Sequence, residues 1–196
     1  IRDDLVTGVQ TCALPISVGL ATHDLDGRGR QLVERVLRHA VGRDGVVAVR
    51  NTLGNCLNVT SGTSAPLMAV SARRANAEAW AVGLNGNIVH CTDLNNVNGN
   101  ITCAPEMSGT TVNLYSVWAD PIAPRVFAVG EGGLVLERTL RGWQQVAQGA
   151  TFQALYSVTG TRDGPVMAVG NDGTVLTLSD GTWAARDVFR PLQWRA

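Results

Sequence analysis

The sequence predicts an all-β fold, a β-propeller of about four blades that each contain four antiparallel strands. The first observation is the string Ala-Val-Gly-x-x-Gly, which occurs four times, beginning at Ala40, Ala81, Ala128 and Ala168. The second is its spacing of 41, 47 and 40 residues, because a propeller blade takes about 40–45 residues. The third is a composition with 22 glycines and few aromatic residues, which is typical of short strands joined by turns.

Each repeat divides into four predicted strands. An apolar Leu-x-x-Val segment predicts the first strand, and the segment that ends in Ala-Val-Gly predicts the second. The third strand is VVAV, NIVHC, LVLER or TVLTL in successive units. The first strands start at Leu67, Leu114 and Leu155, and the fourth strands begin near Cys56, Cys103, Trp143 and Trp183.

The x-x-Gly end of the repeat predicts a tight hairpin turn. It offers Asp-Gly, Asn-Gly or Gly-Gly pairs, which tolerate the positive φ angles of such turns. Strand alternation places the residue before Ala-Val-Gly on the same face as the Val, and the Ala and Gly on the opposite face. We therefore expect the bulky face of one sheet to pack on the flat face of the next. The residues at the bulky position are His39, Trp80, Phe127 and Met167.

Two N-terminal segments depart from this pattern. Residues 1–16, IRDDLVTGVQTCALPI, resemble a translated sequencing-library adapter, so we expect them to contribute to neither the fold nor the function. Residues 31–38 have helical propensity, but their register favours a strand leading into Ala40. The remaining chain, 17–196, is expected to be part of a propeller, an open arc of a larger one. Its units are roughly 17–57, 58–104, 105–146 and 147–187, with a further unit starting at 188–196.

Cysteine spacing gives the only evidence of compartment. Cys91 ends the third strand of its unit and Cys103 starts the fourth, so a cross-strand disulfide is geometrically plausible. Such a bond would indicate an oxidising, extracytoplasmic location: secreted, periplasmic or on the cell surface. Two free thiols in a cytosolic protein remain the alternative.

Charge and hydropathy exclude two classes of partner. Sixteen basic and sixteen acidic residues balance, and there is no basic stripe of the kind that nucleic acid requires. No apolar run reaches the length of a membrane span. The basic residues are all Arg, which indicates a GC-rich coding sequence rather than a function.

The segment from Leu114 to Val146, LYSVWADPIAPRVFAVGEGGLVLERTLRGWQQV, resembles the repeats of secreted bacterial propellers. Those repeats run roughly L-x-x-V-W, V-W-A-V-G-x-x-G, an apolar strand and G-x-x-W. The pattern is also similar to photosystem assembly-factor propellers and to sialidase-type Asp-box repeats. The resemblance covers about residues 60–190 and implies the fold, but it implies hardly anything about activity.

No catalytic or metal constellation accompanies the repeat. The segment from Ser179 to Trp183 is similar to an Asp box but lacks its spacer residues, and Tyr115 and Tyr156 occupy equivalent repeat positions. The segment 23–29 resembles a calcium-binding loop, but Arg28 occupies the position at which such a loop has a third acidic ligand. We therefore favour a solvated loop without calcium. We expect no enzyme activity, no cofactor and no metal site.

The predicted function is a recognition or scaffold module of an exported bacterial protein, with an unknown protein or carbohydrate ligand. Its expected surface is the set of loops after each first strand: Ala72–Asn76, Trp118–Pro124 and Gly160–Pro165. Trp118 and Asp120 are the candidate binding residues. A fragment of a sialidase- or glycosidase-like enzyme and a photosystem-type assembly factor are the alternatives.

Overall fold

The structure is a computed structural model, and it describes residues 38–50, 56–73, 75–94, 100–162 and 164–186. The adapter-like segment 1–16, the loop 23–29, most of the stretch 31–38 and the unit expected from residue 188 lie outside these ranges. The predictions for them therefore stay predictions.

The described residues form fifteen β-strands in four antiparallel sheets, which confirms the all-β expectation. The first sheet has three strands in the order β1-β2-β3, and the others have four strands each, paired in chain order. The strands are β1 (Arg38–Val41), β2 (Val47–Arg50), β3 (Cys56–Val59), β4 (Leu67–Arg73), β5 (Glu78–Gly83), β6 (Ile88–Thr92), β7 (Thr102–Glu106), β8 (Leu114–Ala119), β9 (Val126–Gly130), β10 (Val135–Thr139), β11 (Gly142–Val146), β12 (Leu155–Gly160), β13 (Val166–Gly170), β14 (Val175–Ser179) and β15 (Thr182–Arg186). Each predicted first, second, third and fourth strand of the last three units is present.

Tight turns follow the Ala-Val-Gly strands, as predicted from their Gly pairs. In the second sheet, Asn85 and Gly86 both have positive φ, 56° and 68°, as expected in a type I′ hairpin turn. Gly86 also has a packing role, because a Cβ there would lie 2.2 Å from the carbonyl oxygen of Thr110. The connector to the next sheet therefore runs directly over this glycine, and no side chain fits.

The sheets stack bulky face on flat face, which confirms the alternation argument. Between the second and third sheets, Trp80 and Val82 belong to the same buried cluster as Ala128. Between the third and fourth sheets, Phe127 packs in a cluster with Ala168. A third cluster joins the first and second sheets through the valines of β1 and β2 and the alanines of β5. Three successive apolar layers thus form the core.

The first strands of the last three sheets lie side by side, β4 against β8 and β8 against β12. Serine side chains join them, since the Ala119 amide donates to Ser71 Oγ at 3.0 Å and the Val158 amide donates to Ser116 Oγ at 3.2 Å. The free edges of these strands therefore face a common side of the stack.

The outward face of the fourth sheet is less covered than its equivalents. Met167 and Val169 are each 41% exposed, whereas Phe127 and Val129, at the same repeat positions in the third sheet, are buried. Within the described residues, the fourth sheet thus presents apolar positions that the other sheets use for stacking.

Candidate functional site

Hairpin loops between first and second strands meet at one end of the stack. The Ala75 amide donates to the Pro121 carbonyl at 3.2 Å, which joins the β4–β5 loop to the β8–β9 loop. The Arg125 guanidinium donates to the carbonyls of Thr161 and Gly164, both at 3.4 Å, which joins the β8–β9 and β12–β13 loops. These three loops, which we call the three-loop surface, form one connected patch.

Asp120, a candidate binding residue, supports the three-loop surface from beneath. Its side chain is fully buried, and Oδ1 accepts hydrogen bonds from the Ile122 and Ala123 amides at 3.0 and 2.9 Å. Arg125 donates to Oδ2 at 2.8 Å. Burial would raise the pKa of Asp120, but these hydrogen bonds outweigh it and lower the pKa. Asp120 therefore holds the turn, and a ligand would meet the residues above it.

Trp118, the other candidate, is half-buried between the third and fourth sheets. Its ring stacks on Phe127 with centroids 6.4 Å apart, and the Arg125 guanidinium lies 5.6 Å from its centroid. A Cβ at Gly160 would lie 2.6 Å from the indole, so this glycine leaves room for the ring. The apolar side chain that stands out from this patch is Ile122, which is 51% exposed.

A charged cluster that the sequence argument missed lies between the second and third sheets, centred on Glu106. Arg138 from the third sheet donates to both carboxylate oxygens of Glu106, from Nη2 at 2.8 Å and from Nε at 3.2 and 3.1 Å. The Trp143 indole donates from Nε1 at 2.7 Å, and His90 Nδ1 lies 3.1 Å from the same carboxylate. One carboxylate thus receives donors from two strands of the neighbouring sheet.

The same cluster continues inward around a buried tryptophan. The rings of His90 and Trp80 stack with centroids 4.6 Å apart and planes 4° from parallel. The guanidinium groups of Arg73 and Arg138 lie 5.2 and 5.3 Å from the Trp80 centroid, within cation–π range. Glu78 pairs with Arg73 and lies 3.4 Å from His90 Nε2. The imidazole therefore stands between two carboxylates.

The electrostatics of the cluster favour a structural role over proton transfer. Burial would raise the pKa of Glu106, but the hydrogen bonds from His90, Arg138 and Trp143 outweigh burial and hold the pKa at about 2. The pairing with Glu106 in turn raises the pKa of Arg138. A general acid at neutral pH needs a carboxyl pKa shifted upward, whereas this carboxylate stays ionised.

Glu137 is the contrasting carboxyl group. It lies on the face of β10 that packs toward the fourth sheet, and burial raises its pKa against the opposing charge of Arg125. In the fourth sheet, Leu178 occupies the position that Arg138 occupies in the third sheet. Between the third and fourth sheets, an apolar contact therefore takes the place of an ion pair like that of Glu106 with Arg138.

Cys91 and Cys103 form a disulfide between paired positions of β6 and β7, with Cα atoms 4.0 Å apart. This bears out the predicted pairing, and Cys91 packs in the layer between the first and second sheets.

Beside the disulfide is an open groove of ≈ 360 Å³ between β3 and β7. Within the described residues, this groove is a further place where a ligand could bind.

No helix within the described ranges is long and apolar enough to cross a membrane. Among the same residues, no group of His, Cys, Asp and Glu is arranged to hold a metal ion. Comparison of the chain with protein-family models and with curated proteins finds no match in either.

Proposed function

We propose that the chain is a β-propeller recognition module of an exported bacterial protein and that it binds a protein or carbohydrate ligand at the three-loop surface. The observation that carries the proposal is the linkage of three hairpin loops by hydrogen bonds at Ala75 and Arg125. Loops held by a rigid β scaffold are the usual location of binding residues.

The stacking of the sheets supports a propeller. Successive sheets pack face to face, and their first strands β4, β8 and β12 lie side by side, as innermost strands do around a propeller axis. The exposure of Met167 and Val169 supports an open arc, because the equivalent residues of the third sheet are covered by a further sheet.

The disulfide supports export. Cys91 and Cys103 are bonded, and disulfides persist in oxidising compartments and are rare in the cytosol. A location outside the cytoplasm is therefore part of the proposal.

Glu106 and Asp120 support a binding role rather than catalysis. Glu106 and Asp120 have lowered pKa values, and their oxygens accept hydrogen bonds from neighbouring protein groups. A glycosidase instead needs two carboxyl groups that converge on one bond, one of them with a raised pKa.

A binding and turnover experiment tests the proposal. The oxidised chain would be screened against a glycan array and a random peptide library, and then incubated with fluorogenic glycosides and sialosides. We expect saturable binding without turnover. Ile122→Asp should weaken that binding by about tenfold or more, because a charge would enter the centre of the surface.

Leu140→Asp is the matched control, since Leu140 is fully exposed on the β10–β11 turn, outside the three loops. Equal effects of the two substitutions would overturn the assignment of the surface. If the chain hydrolyses a glycoside, and if substitution of a carboxylate residue abolishes that hydrolysis, the chain is an enzyme and the binding-module proposal is wrong.

A further inference from the structure

The outer margin between the sheets is filled in two of the three layers by an indole. Trp143 of β11 is buried against the second sheet, and its Nε1 donates to Glu106 at 2.7 Å. Trp183 of β15 packs against the third sheet, edge-on to Phe127 with centroids 5.6 Å apart. Each indole is the second residue of a fourth strand.

The second sheet has a disulfide at this position. Register places Arg138 opposite Trp143, Leu178 opposite Trp183, and Cys91 opposite Cys103. A disulfide is smaller than an indole and the side chain opposite it, so the margin between the first and second sheets is left incompletely filled. The groove of ≈ 360 Å³ lies there.

The groove is closer in chemistry to the margin that Trp183 fills beside Leu178 than to the charged margin that Trp143 fills beside Glu106. Its lining includes no charged side chain and consists of the apolar residues Leu57, Val59, Ile101 and Cys103 and the polar residues Asn58, Thr60 and Thr102. Asn58 and Thr60 are exposed at its rim and offer oxygen acceptors. The volume falls at the low end of the range for ligand pockets, about 300–1,000 Å³.

We propose that this groove binds the tryptophan side chain of a partner peptide. The indole would occupy the margin in the way that Trp143 and Trp183 occupy the two following layers, with its N–H directed to a rim oxygen. The groove lies on the outermost strands, whereas the three-loop surface joins first and second strands, so the two sites are separate. This proposal therefore does not depend on the three-loop surface.

The test uses 5-fluoroindole as the probe and ¹⁹F NMR of the full oxidised chain. We expect the probe resonance to broaden and shift with a dissociation constant in about the millimolar range, as for other fragments of this size. N-acetyl-tryptophanamide should compete for the groove, whereas N-acetyl-leucinamide should not. Absence of broadening at about 5 mM probe would overturn the proposal, as would equal competition by both amides.

Groove-filling variants locate the binding. Cys91→Leu/Cys103→Trp gives the second sheet the residue pair of the fourth, and Thr60→Trp brings an indole to the rim with the disulfide intact. Both should abolish the shift of the probe, and Thr60→Trp keeps the test valid if the double variant does not fold. Met167→Trp, which adds an indole on the fourth sheet, is the control and should leave the shift unchanged. Probe binding that survives in a folded groove-filling variant would refute the site.

Discussion

The Glu106 carboxylate makes the layer between the second and third sheets sensitive to acid. Its pKa is about 2, against an ordinary value of 4.5. Because the folded pKa is the lower one, the unfolded chain takes up the proton first as the pH falls. The stabilisation is therefore complete above the ordinary pKa and is lost as the pH falls toward 2. A pKa lowered from 4.5 to about 2 corresponds to about 3 kcal/mol of unfolding free energy.

Glu106→Gln is the perturbation that isolates this contribution. At neutral pH the variant lacks the negative charge that pairs with Arg138, while the amide oxygen of the glutamine can still accept a hydrogen bond from the Trp143 indole. We expect the free energy of unfolding to fall by about 1.5–3 kcal/mol, the range for hydrogen bonds to charged groups. At about pH 2.5, where the wild-type carboxylate begins to be protonated, the difference should shrink to about 1 kcal/mol or less.

The assay is urea denaturation of the oxidised chain at a series of pH values, followed by far-UV circular dichroism. Asp120 also has a lowered pKa, so some acid-side loss will remain in every variant, and the informative quantity is the difference between wild type and Glu106→Gln. Glu131→Gln is the matched control, because Glu131 is exposed on the β9–β10 turn. A difference between wild type and Glu106→Gln that stays constant from neutral pH to about pH 2.5 would refute the reasoning.

Three further predictions concern packing and the disulfide, each measured as the change in unfolding free energy. Gly86→Ala should cost at least about 2 kcal/mol more than Gly109→Ala, because both glycines have positive φ but a Cβ at Gly86 would meet a backbone oxygen at 2.2 Å; similar costs would argue against the packing role. Replacing both cysteines of the disulfide by serine should cost about 3 kcal/mol, from loop closure over a sequence separation of 12, and reduction of the wild type should give the same loss. Phe127→Ala should cost about 3–5 kcal/mol, whereas Met167→Ala, at the equivalent but 41% exposed position, should cost under about 1 kcal/mol; a large Met167→Ala effect would indicate that the outward face of the fourth sheet is covered.

The strands and their faces could be predicted from the sequence because both depend on local periodicity. The alternation around Ala-Val-Gly assigned Trp80 and Phe127 to the stacking face, and both are buried there. The last glycine of the motif was assigned only a conformational role. Its contact with the connector arises from a residue in the following unit, such as Thr110 above Gly86, and no local pattern encodes that contact.

The charged cluster could not be predicted for a different reason. Glu106 and Arg138 lie 32 residues apart on two sheets, and each is a departure from the repeat rather than part of it. The sequence did contain one sign of the cluster, which is the histidine beside Glu106. His90 occupies the repeat position at which the first unit has Val49 and the fourth unit has Thr177. Asp120 had a recognisable signal, because Asp before Pro favours an Asx-type turn; the structure accordingly buries its carboxylate beneath the loop.

The same kind of layer recurs between each pair of neighbouring sheets, and it is stabilised in three chemically different ways. The layer between the first and second sheets contains the disulfide, the next contains the Glu106 cluster, and the third contains Trp183 and Leu178 without the charged pair. Reduction should therefore loosen the first layer, and acid should loosen the second. The groove lies in the disulfide layer, whereas the three-loop surface spans the second, third and fourth sheets. Reduction should consequently weaken 5-fluoroindole binding more than ligand binding at the three loops, and acid should have the opposite selectivity.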